Sequence, residues 1–305
     1  MKVVSYHSAI PIKNNKYEKK ALLEFFIEGV NRKGDIGINH KGANLLDCNV
    51  AVLQGFVHEG SKNLPHLILR KNIIDKQKIT GNRTLIADSN LFLYLNKENT
   101  PFHYLRYSFD GVFKRTGFYF DKDIDFSRFK KIQKDLNIEV KNYRTTGDHI
   151  LICLQRNNGW SMQGHNVIKI LENTIRLIKT YTDRPIIVRG HPGDKKTAQS
   201  LQNKMKNCNF SCKNNLIDDL KNAWATLTYN SSPGVASLIE GVPVFQLDPC
   251  MDNSMYGEVA NTNLKRLEDP KLFDREQWLA KISMSHWKFE ELRSGEAWDF
   301  MKQYV

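Results

Sequence analysis

Polar side chains able to bind an anion follow three apolar segments in the second half of the chain. Gln155 and Arg156 come after ILICL, His191 comes after IIVRG, and Ser231 with Ser232 comes after ATLTYN. Arginine, histidine and hydroxyl groups donate hydrogen bonds to phosphate and carboxylate oxygens. We predict that each apolar segment is a parallel strand. The polar residues then meet at the carboxyl edge of one sheet.

The stretch Trp224–Leu247 contains the last of these strand ends. Its pattern predicts a strand at Ala225–Tyr229, a short amphipathic helix at Val235–Glu240 and a buried strand at Pro243–Leu247. A serine cap and Gly234 at the start of the helix would leave backbone N–H groups and a positive dipole end facing a ligand. A phosphate suits such a position. An ordinary βαβ turn with nothing bound is the alternative.

Strands alternate with helices along most of the chain, which predicts the α/β class. We expect two Rossmann-like lobes separated by the polar segment Asn142–Asp148, which has the composition of a linker. The predicted domains are residues 1–145 and residues 146–305. The last segment, 274–305, is predicted to form two helices that pack across the cleft between the lobes.

Composition and charge limit the classes of function. The chain has 305 residues, of which 41% are hydrophobic, and a formal net charge of +12 with an isoelectric point near 9.3. Such a charge attracts polyanions, including nucleic acid, a membrane surface or an anionic glycan; a biased proteome composition is the alternative. The sequence contains no apolar run near the roughly 20 residues that span a bilayer, and it begins without a signal-peptide pattern. We therefore expect a cytoplasmic protein.

Cysteine and acidic residues do not predict a metal site. The five cysteines are scattered in mostly apolar contexts, as expected of reduced thiols, and Cys208 with Cys212 lacks a second ligand pair for zinc. The segment Asp121–Asp125 lacks the glycine and the closing glutamate of an EF-hand, so a solvated loop is expected. Neither a G-x-G-x-x-G motif after the first strand nor a Walker sequence occurs, which excludes those two kinds of nucleotide site.

The segments RGHP and YNSSPGVASLIEGVPVF together resemble the nucleotide-sugar half of GT-B glycosyltransferases. They are most similar to capsule-polysaccharide Kdo transferases, and more distantly to bacterial sialyltransferases with a His-Pro motif and a Ser-Ser pair. The resemblance covers roughly Ile150–Leu247. It implies that His191, Ser231 and Ser232 contact the phosphate of the donor nucleotide. Gln155 stands where the Kdo transferases have a Gln-Pro pair, but here an arginine replaces the proline.

The resemblance implies a nucleotide-sugar donor and no metal cofactor. It also implies that the anomeric configuration is inverted. We predict that the nucleotide is bound by eight residues of the second domain: Gln155, Arg156, Arg189, His191, Ser231, Ser232, Gly234 and Glu240.

A glycosyl transfer also needs a group that takes the proton of the acceptor hydroxyl. Asp110, in the segment RYSFDG, is similar to the Asp-Gly motif that supplies this base in sialyltransferases, and with His191 it completes the predicted catalytic pair. A plain Asp-Gly turn is the alternative for Asp110. Asp88 is the second choice as base, and Gln54-Gly55 and His58 are further candidates for lining the acceptor side.

The sequence thus predicts a metal-independent glycosyltransferase that acts on a hydroxyl of an anionic acceptor, either a glycan or a modified nucleic acid. Residues 1–145 would form the acceptor side. Two alternatives stay open. One is a DNA glycosyltransferase of the phage type, acting on hydroxymethylated bases, which the positive charge favours. The other is a non-catalytic polyanion-binding module whose transferase site has decayed.

Overall fold

The computed structural model describes residues 1–11, 17–57, 63–92, 104–122, 124–157, 159–205, 208–211 and 215–305. These residues form two compact units. The first unit comprises the described residues of Met1–Leu93, Glu98–Phe129 and Ala280–Val305, and the second those of Lys130–Leu279.

The second unit contains a five-stranded sheet in which every strand is parallel to its neighbours. The strand order is β10-β9-β6-β7-β8. The chain therefore proceeds from β6 to β8 on one side of the sheet and then crosses to β9 and β10 on the other. The strands are β6 (His149–Cys153), β7 (Ile186–Arg189), β8 (Asn209–Ser211), β9 (Ala223–Thr228) and β10 (Val244–Gln246).

This strand order is that of the Rossmann fold, and its direction reverses between β6 and β9. Ligands of open α/β sheets bind at such a reversal, outside the carboxyl ends of the strands. Gln155 and Arg156 leave β6 at this point, and Ser231 and Ser232 leave β9. The helices here are α4 (Val167–Ile178), α5 (Lys195–Lys204), α6 (Leu216–Leu220) and α7 (Pro233–Ile239).

The first unit contains a six-stranded sheet with the order β11-β5-β4-β3-β1-β2. Strands β2, β1, β3 and β4 are parallel, and the direction of the chain along the sheet reverses between β1 and β3. The strands are β1 (Lys2–Tyr6), β2 (Ile36–His40), β3 (Val50–Gln54), β4 (Arg83–Asp88), β5 (Tyr104–Phe109) and β11 (His286–Lys288). The remaining described α-helices are α1 (Tyr17–Arg32), α2 (Pro65–Ile79), α3 (Phe126–Leu136), α8 (Glu276–Ser283), α9 (Phe289–Ser294) and α10 (Glu296–Met301).

Strand β5 departs from the parallel arrangement. It runs antiparallel to β4, with Asp88 opposite Arg106 and Leu85 opposite Phe109. Strand β11 is antiparallel to β5 in turn. The end of β5 therefore lies at the amino edge of the parallel strands, whereas the end of β4 lies at their carboxyl edge.

Both sheets bury both faces, which explains the nearly continuous apolar runs in the sequence. In β1, Val3 packs in one core cluster and Val4 in another, because successive side chains point to opposite faces. In β6, Ile150 and Leu151 divide in the same way. The α/β class and the two Rossmann-like sheets that the sequence predicts are confirmed.

The boundary between the units differs from the predicted division at residue 145. The segment Ala280–Val305 belongs to the first unit, because β11 pairs with β5 and because Trp298 and Met301 of α10 lie in the core that contains α1. The segment Asn142–Asp148 is bonded to the second unit instead of being a free linker. The Arg144 amide donates to the Gly241 carbonyl at 2.9 Å.

Candidate functional site

A small cavity lies at the carboxyl edge of the second sheet. Its volume is about 20 Å³, which holds one water-sized group. The residues that line it come from the ends of β6 and β7 and from the starts of α6 and α7: Cys153, Leu154, Arg189, Gly190, His191, Pro192, Leu216, Ser231 and Pro233. The structure thus brings His191 and Ser231 to one cavity. Gln155 and Ser232 do not line it.

Gln155 instead ties the two strands on either side of the reversal. Its Nε2 donates to Asn230 Oδ1 at 2.7 Å and to Ser161 Oγ at 2.7 Å, and its Oε1 accepts the Asn230 amide at 3.2 Å. Asn230 Nδ2 donates in turn to Asp248 Oδ2 at 2.8 Å. Gln155 is only 5% exposed. Its amide fixes the spacing of the strand ends that carry the other polar residues.

Asp248 connects this network to the loop that follows β10. Besides Asn230, its carboxylate accepts hydrogen bonds from Asn253 Nδ2 at 3.0 Å and from the Cys250 amide at 3.0 Å. We did not predict a site role for Asn230, Ser161 or Asp248 from the sequence. No local pattern marks them, because Gln155 and Asn230 are 75 residues apart in the chain.

His191 has a defined tautomer in its neutral form. Its Nδ1 accepts the backbone N–H of Gly193 at 3.0 Å, so the ring proton is on Nε2. Burial lowers the pKa of His191, and the nearby positive charge of Arg156 lowers it further. At neutral pH the ring is therefore uncharged and presents an Nε2–H donor.

Arg156 lies beside this histidine. A methyl group built on Gly193 would be 2.3 Å from Arg156 Nη2 and 3.2 Å from His191 Cε1, so both side chains pack over that glycine. Arg156 is exposed, and the loop that follows it is held by a 2.9 Å hydrogen bond from the Asn157 amide to Asp194 Oδ2. A permanent cation and a neutral N–H donor thus stand together at the edge of the sheet.

Arg189 is committed to a structural ion pair. Its Nη1 contacts the carboxylate of Asp219, which is almost fully buried and also accepts from Ser211 Oγ at 2.7 Å. Its guanidinium therefore neutralises a buried acid, although the residue also lines the cavity.

The start of α7 differs from the prediction in two respects. Ser232 is the N-cap residue, but its side chain makes no capping hydrogen bond. Gly234 was predicted to let a ligand approach the backbone, yet a methyl group there would lie 2.5 Å from the ring of Tyr256. The glycine is therefore required by an aromatic ring of the protein itself.

Glu240 is distant from the cavity. It is the C-cap residue of the seven-residue helix α7, which separates it from Ser232 by roughly 12 Å. Its carboxylate pairs with Lys141 Nζ at 2.6 Å. The structure does not bring Glu240 together with His191 and Ser231.

Two buried hydroxyl groups lie near the reversal. They belong to Thr228, the last residue of β9, and to Tyr256, whose ring lies against Gly234. Burial raises the pKa of Tyr256, and its interaction with the Thr228 side chain opposes that shift.

In the first unit, the two candidate bases lie at opposite edges of the sheet. Asp88 ends β4 at the carboxyl edge, where its Oδ2 contacts Nη2 of the buried Arg106. Asp110 follows β5 at the amino edge, where its Oδ1 accepts the Thr84 amide at 2.8 Å and its Oδ2 pairs with Arg83 Nη1 at 3.0 Å. Thr84 and Asp88 are four positions apart along β4, a distance of about 13 Å.

Asp110 has a clear structural role. Its φ of +66° is in the left-handed region, which aspartate tolerates better than most residues. The chain turns there, and the carboxylate accepts the Thr84 amide near the start of β4. This geometry matches the Asp-Gly turn that the sequence left open as the alternative.

The other predicted residues of the first unit are placed as follows. Gln54 ends β3 and Gly55 follows it with a φ of +81° at the carboxyl edge, whereas His58 lies outside the described residues. Asp125 caps α3, since its Oδ1 accepts the Ser127 amide at 2.8 Å. Within the described ranges, histidine, cysteine and acidic residues form no group of three or more that could hold a metal ion. None of the described helices has both the length and the apolar character of a membrane span.

Comparison with known proteins supplies a likeness in fold. No family model matches the sequence, and no curated protein sequence matches it significantly. Among solved structures, the β-Kdo 2,4-transferase of Thermosulfurimonas dismutans KpsC aligns with a TM-score of 0.55 and 11% identity, over 93% of this chain and 90% of the other. The β-Kdo 2,7-transferase of the same protein aligns with a TM-score of 0.52 and 12% identity, over 97% and 98% of the two chains. The likeness extends over nearly the whole chain and confirms the GT-B fold that the second half of the sequence predicted.

Proposed function

We propose that the protein is a metal-independent glycosyltransferase that takes its sugar from a nucleotide-activated donor. The second unit binds the donor, with the phosphate at the carboxyl edge between β6, β7 and β9. The first unit supplies the acceptor side. The GT-B fold and the cluster of hydrogen-bond donors at the reversal of the second sheet support this proposal.

The observation that carries the proposal is the arrangement of His191, Arg156 and Gly193. The Gly193 N–H occupies Nδ1 of His191, which leaves Nε2–H as the group that meets a ligand. Arg156 adds a charge beside it. A donor and a cation held together in this way match the oxygens of a phosphate group.

These two side chains would act on the leaving group. When the bond between the sugar and the phosphate breaks, negative charge grows on the phosphate oxygens. Preorganised donors that meet this charge stabilise the transition state more than the ground state. His191 would donate through Nε2 and Arg156 through its guanidinium. Ser231, which shares the cavity with His191, would add a hydroxyl donor.

We assign the acceptor base to Asp88 in place of Asp110. The carboxylate of Asp88 is partly exposed at the carboxyl edge of the first sheet, the edge at which α/β proteins bind ligands. Arg106 orients it. The carboxylate of Asp110 satisfies backbone and arginine donors at the other edge. Asp88 would take the proton of the acceptor hydroxyl as that oxygen attacks the anomeric carbon.

A thermal-shift panel of CMP, CDP, UDP and GDP sugars tests donor binding. A ligand that binds only the native state stabilises it, by about 2.7 kcal/mol when present at one hundred times its Kd. We expect one nucleotide class to raise the unfolding midpoint of the wild type and to raise that of His191→Ala much less. His191→Gln, which keeps an N–H donor, should recover part of the shift. If no nucleotide sugar raises the midpoint, the proposal is wrong.

The pH dependence of donor affinity tests the protonation state of His191. Because its pKa is lowered from 6.5, the ring is neutral above that pH and donates from Nε2 throughout. We expect the Kd of the donor to be constant from pH 8 to pH 6.5, measured by calorimetry in buffers of equal ionic strength. An affinity that falls steeply as the pH rises through 6.5 would mean that the imidazolium is the binding form.

The formal charge of +12 favours an anionic acceptor, and DNA is the second candidate. Binding to duplex DNA would weaken steeply with salt, because phosphate contacts release counterions. Slow hydrolysis of the nucleotide sugar in the absence of acceptor would distinguish an active transferase from a decayed polyanion-binding module. If the acceptor is a glycan, we expect the nucleotide sugar to be hydrolysed and duplex DNA to bind weakly. If the protein is a DNA transferase, we expect hydrolysis together with strong, salt-dependent DNA binding.

A further inference from the structure

A buried arginine lies at the reversal of the first sheet. Arg70, on the second turn of α2, is 5% exposed. Its Nε donates to the Ala9 carbonyl at 2.9 Å, and its Nη1 donates to the Phe56 carbonyl at 3.3 Å. Ala9 follows β1 and Phe56 follows β3, which are the two strands on either side of the reversal. The guanidinium therefore spans the position at which an α/β sheet binds its ligand.

This guanidinium has no counter-charge among the described residues. Burial lowers the pKa of Arg70 to about 10, and no charge on the described residues opposes that shift. The other buried arginines of this unit are different, since Arg106 pairs with Asp88 and Arg128 pairs with Glu291. Keeping a cation away from water without an anion is costly, so proteins rarely do it without a reason.

The two carbonyl groups leave part of the guanidinium unused. Among the described residues Nη2 has no hydrogen-bond partner, and it is not one of their fully buried side-chain atoms without a partner, so it reaches solvent. An arginine presents five N–H groups in a planar fork. The free side of that fork is available to an oxyanion.

The surroundings favour a small anionic group. Gly55 has a φ of +81°, and a methyl group there would lie 3.1 Å from Arg70 Nη1, so the backbone passes close to the guanidinium. Helix α2 begins at Pro65, and its N-cap residue Leu64 makes no side-chain hydrogen bond to the first turn, so the positive end of the helix dipole lies at the same edge. His66, on the first turn, is near enough for the charge of Arg70 to lower its pKa, after the larger effect of burial.

We propose that Arg70 binds an oxyanion, a carboxylate or a phosphate monoester, in the first unit. The binding of the anion rests on the geometry above. Its assignment to the acceptor sugar rests on the proposed transferase function, in which the first unit supplies the acceptor side. The site would select acceptors that carry an acidic group over neutral sugars.

Thermal unfolding with simple sugar acids tests the site. The probes are glucuronate for a carboxylate and glycerol 3-phosphate for a phosphate monoester, with glucose as the neutral control. We expect one of the two anions, and not glucose, to raise the midpoint of the wild type. Arg70→Gln should lower the affinity for that anion by about tenfold or more, because the variant loses a charge-assisted hydrogen bond to it.

Two variants separate this site from other effects of charge. Arg32→Gln removes the same charge from an exposed arginine of the first unit, whose partner is Glu28 at 2.6 Å, and should respond to the anion as the wild type does. His191→Ala should also keep the response to the anion while losing that to nucleotide sugars. The inference would be overturned if Arg70→Gln bound the anion as tightly as the wild type, or if Arg32→Gln lost as much affinity for the anion as Arg70→Gln.

A second measurement covers the possibility that Arg70→Gln unfolds. Crystals of the wild type soaked in selenate should give an anomalous peak within hydrogen-bond distance of Arg70 Nη2. Arg70→Lys keeps the charge without the planar fork and should bind the anion more weakly than the wild type. Absence of the selenate peak together with an unchanged Kd in Arg70→Lys would contradict the proposed site.

Discussion

The two sheets of this protein place their strand-end residues differently. In the second sheet every strand is parallel, so residues that follow β6, β7 and β9 all reach the carboxyl edge, where His191 and Ser231 share a cavity. In the first sheet β5 is reversed, and Asp110 is carried to the amino edge. Polar residues that follow neighbouring strands therefore lie at one edge of a sheet only where those strands are parallel.

The means of holding a charge also differ. In the second unit the cation that faces the edge, Arg156, is exposed and lies beside a neutral histidine. In the first unit Arg70 is buried between two backbone carbonyls. An exposed cation adapts to a phosphate that arrives with a flexible donor, whereas a buried one is preorganised. We therefore expect the first unit to be the more selective towards the charge of its ligand.

The largest expected effect separates the two edges of the first sheet. Asp88→Asn should lower the rate of transfer by roughly 10²–10⁴-fold, because an amide cannot accept the proton of the acceptor hydroxyl. Asp110→Asn, the matched control at the other edge, should stay within a few fold of the wild type. Single-turnover transfer with saturating donor measures both.

Removing the partner of a buried arginine can also unfold the protein. The midpoint of Asp88→Asn must therefore be compared with that of the wild type, and donor affinity must be intact before its rate is interpreted. A large loss in Asp110→Asn with normal Asp88→Asn would restore the assignment made from the sequence.

An intermediate effect concerns the hydrogen bonds between Gln155 and Asn230, which link β6 to β9 at the reversal of the second sheet. Gln155→Ala should lower the free energy of unfolding by roughly 2 kcal/mol, about thirtyfold in the folding equilibrium, because the partly buried Asn230 loses the donor to its Oδ1 and the acceptor of its backbone N–H. Gln303→Ala removes an exposed amide and should change stability by less than about 0.5 kcal/mol. Denaturant unfolding gives both values. Equal stability of the two variants would mean that the hydrogen bonds between Gln155 and Asn230 do not stabilise the sheet.

The smallest expected effect tests the contact between Arg156 and His191. Gly193→Ala inserts a methyl group 2.3 Å from Arg156 Nη2, and the flexible guanidinium must move away. We expect donor affinity to fall by about threefold to tenfold, the lower part of what a charge-assisted hydrogen bond supplies. The unfolding midpoint without ligand should hardly change, because the displaced atoms are the end of an exposed side chain. Unaltered donor affinity would remove Arg156 from the site.

Local sequence features were enough to predict the second sheet. The segments ILICL, IIVRG and ATLTYN are strands or strand ends, and the residues that follow two of them lie at one cavity. Their apolar runs are long enough to be buried on both faces, a property of sequence alone. The resemblance to GT-B enzymes likewise rested on contiguous residues, and the fold confirms it.

Only the tertiary structure decided the direction of β5, the neighbour of Gly234 and the burial of Arg70. Each depends on a contact between residues distant in the chain: Asp88 with Arg106, Gly234 with Tyr256, and Arg70 with Ala9. The same holds for the segment Ala280–Val305, which joins the first unit through pairing of β11 with β5. Propensity and periodicity describe what one segment prefers, whereas strand direction and partner choice are set by packing between segments.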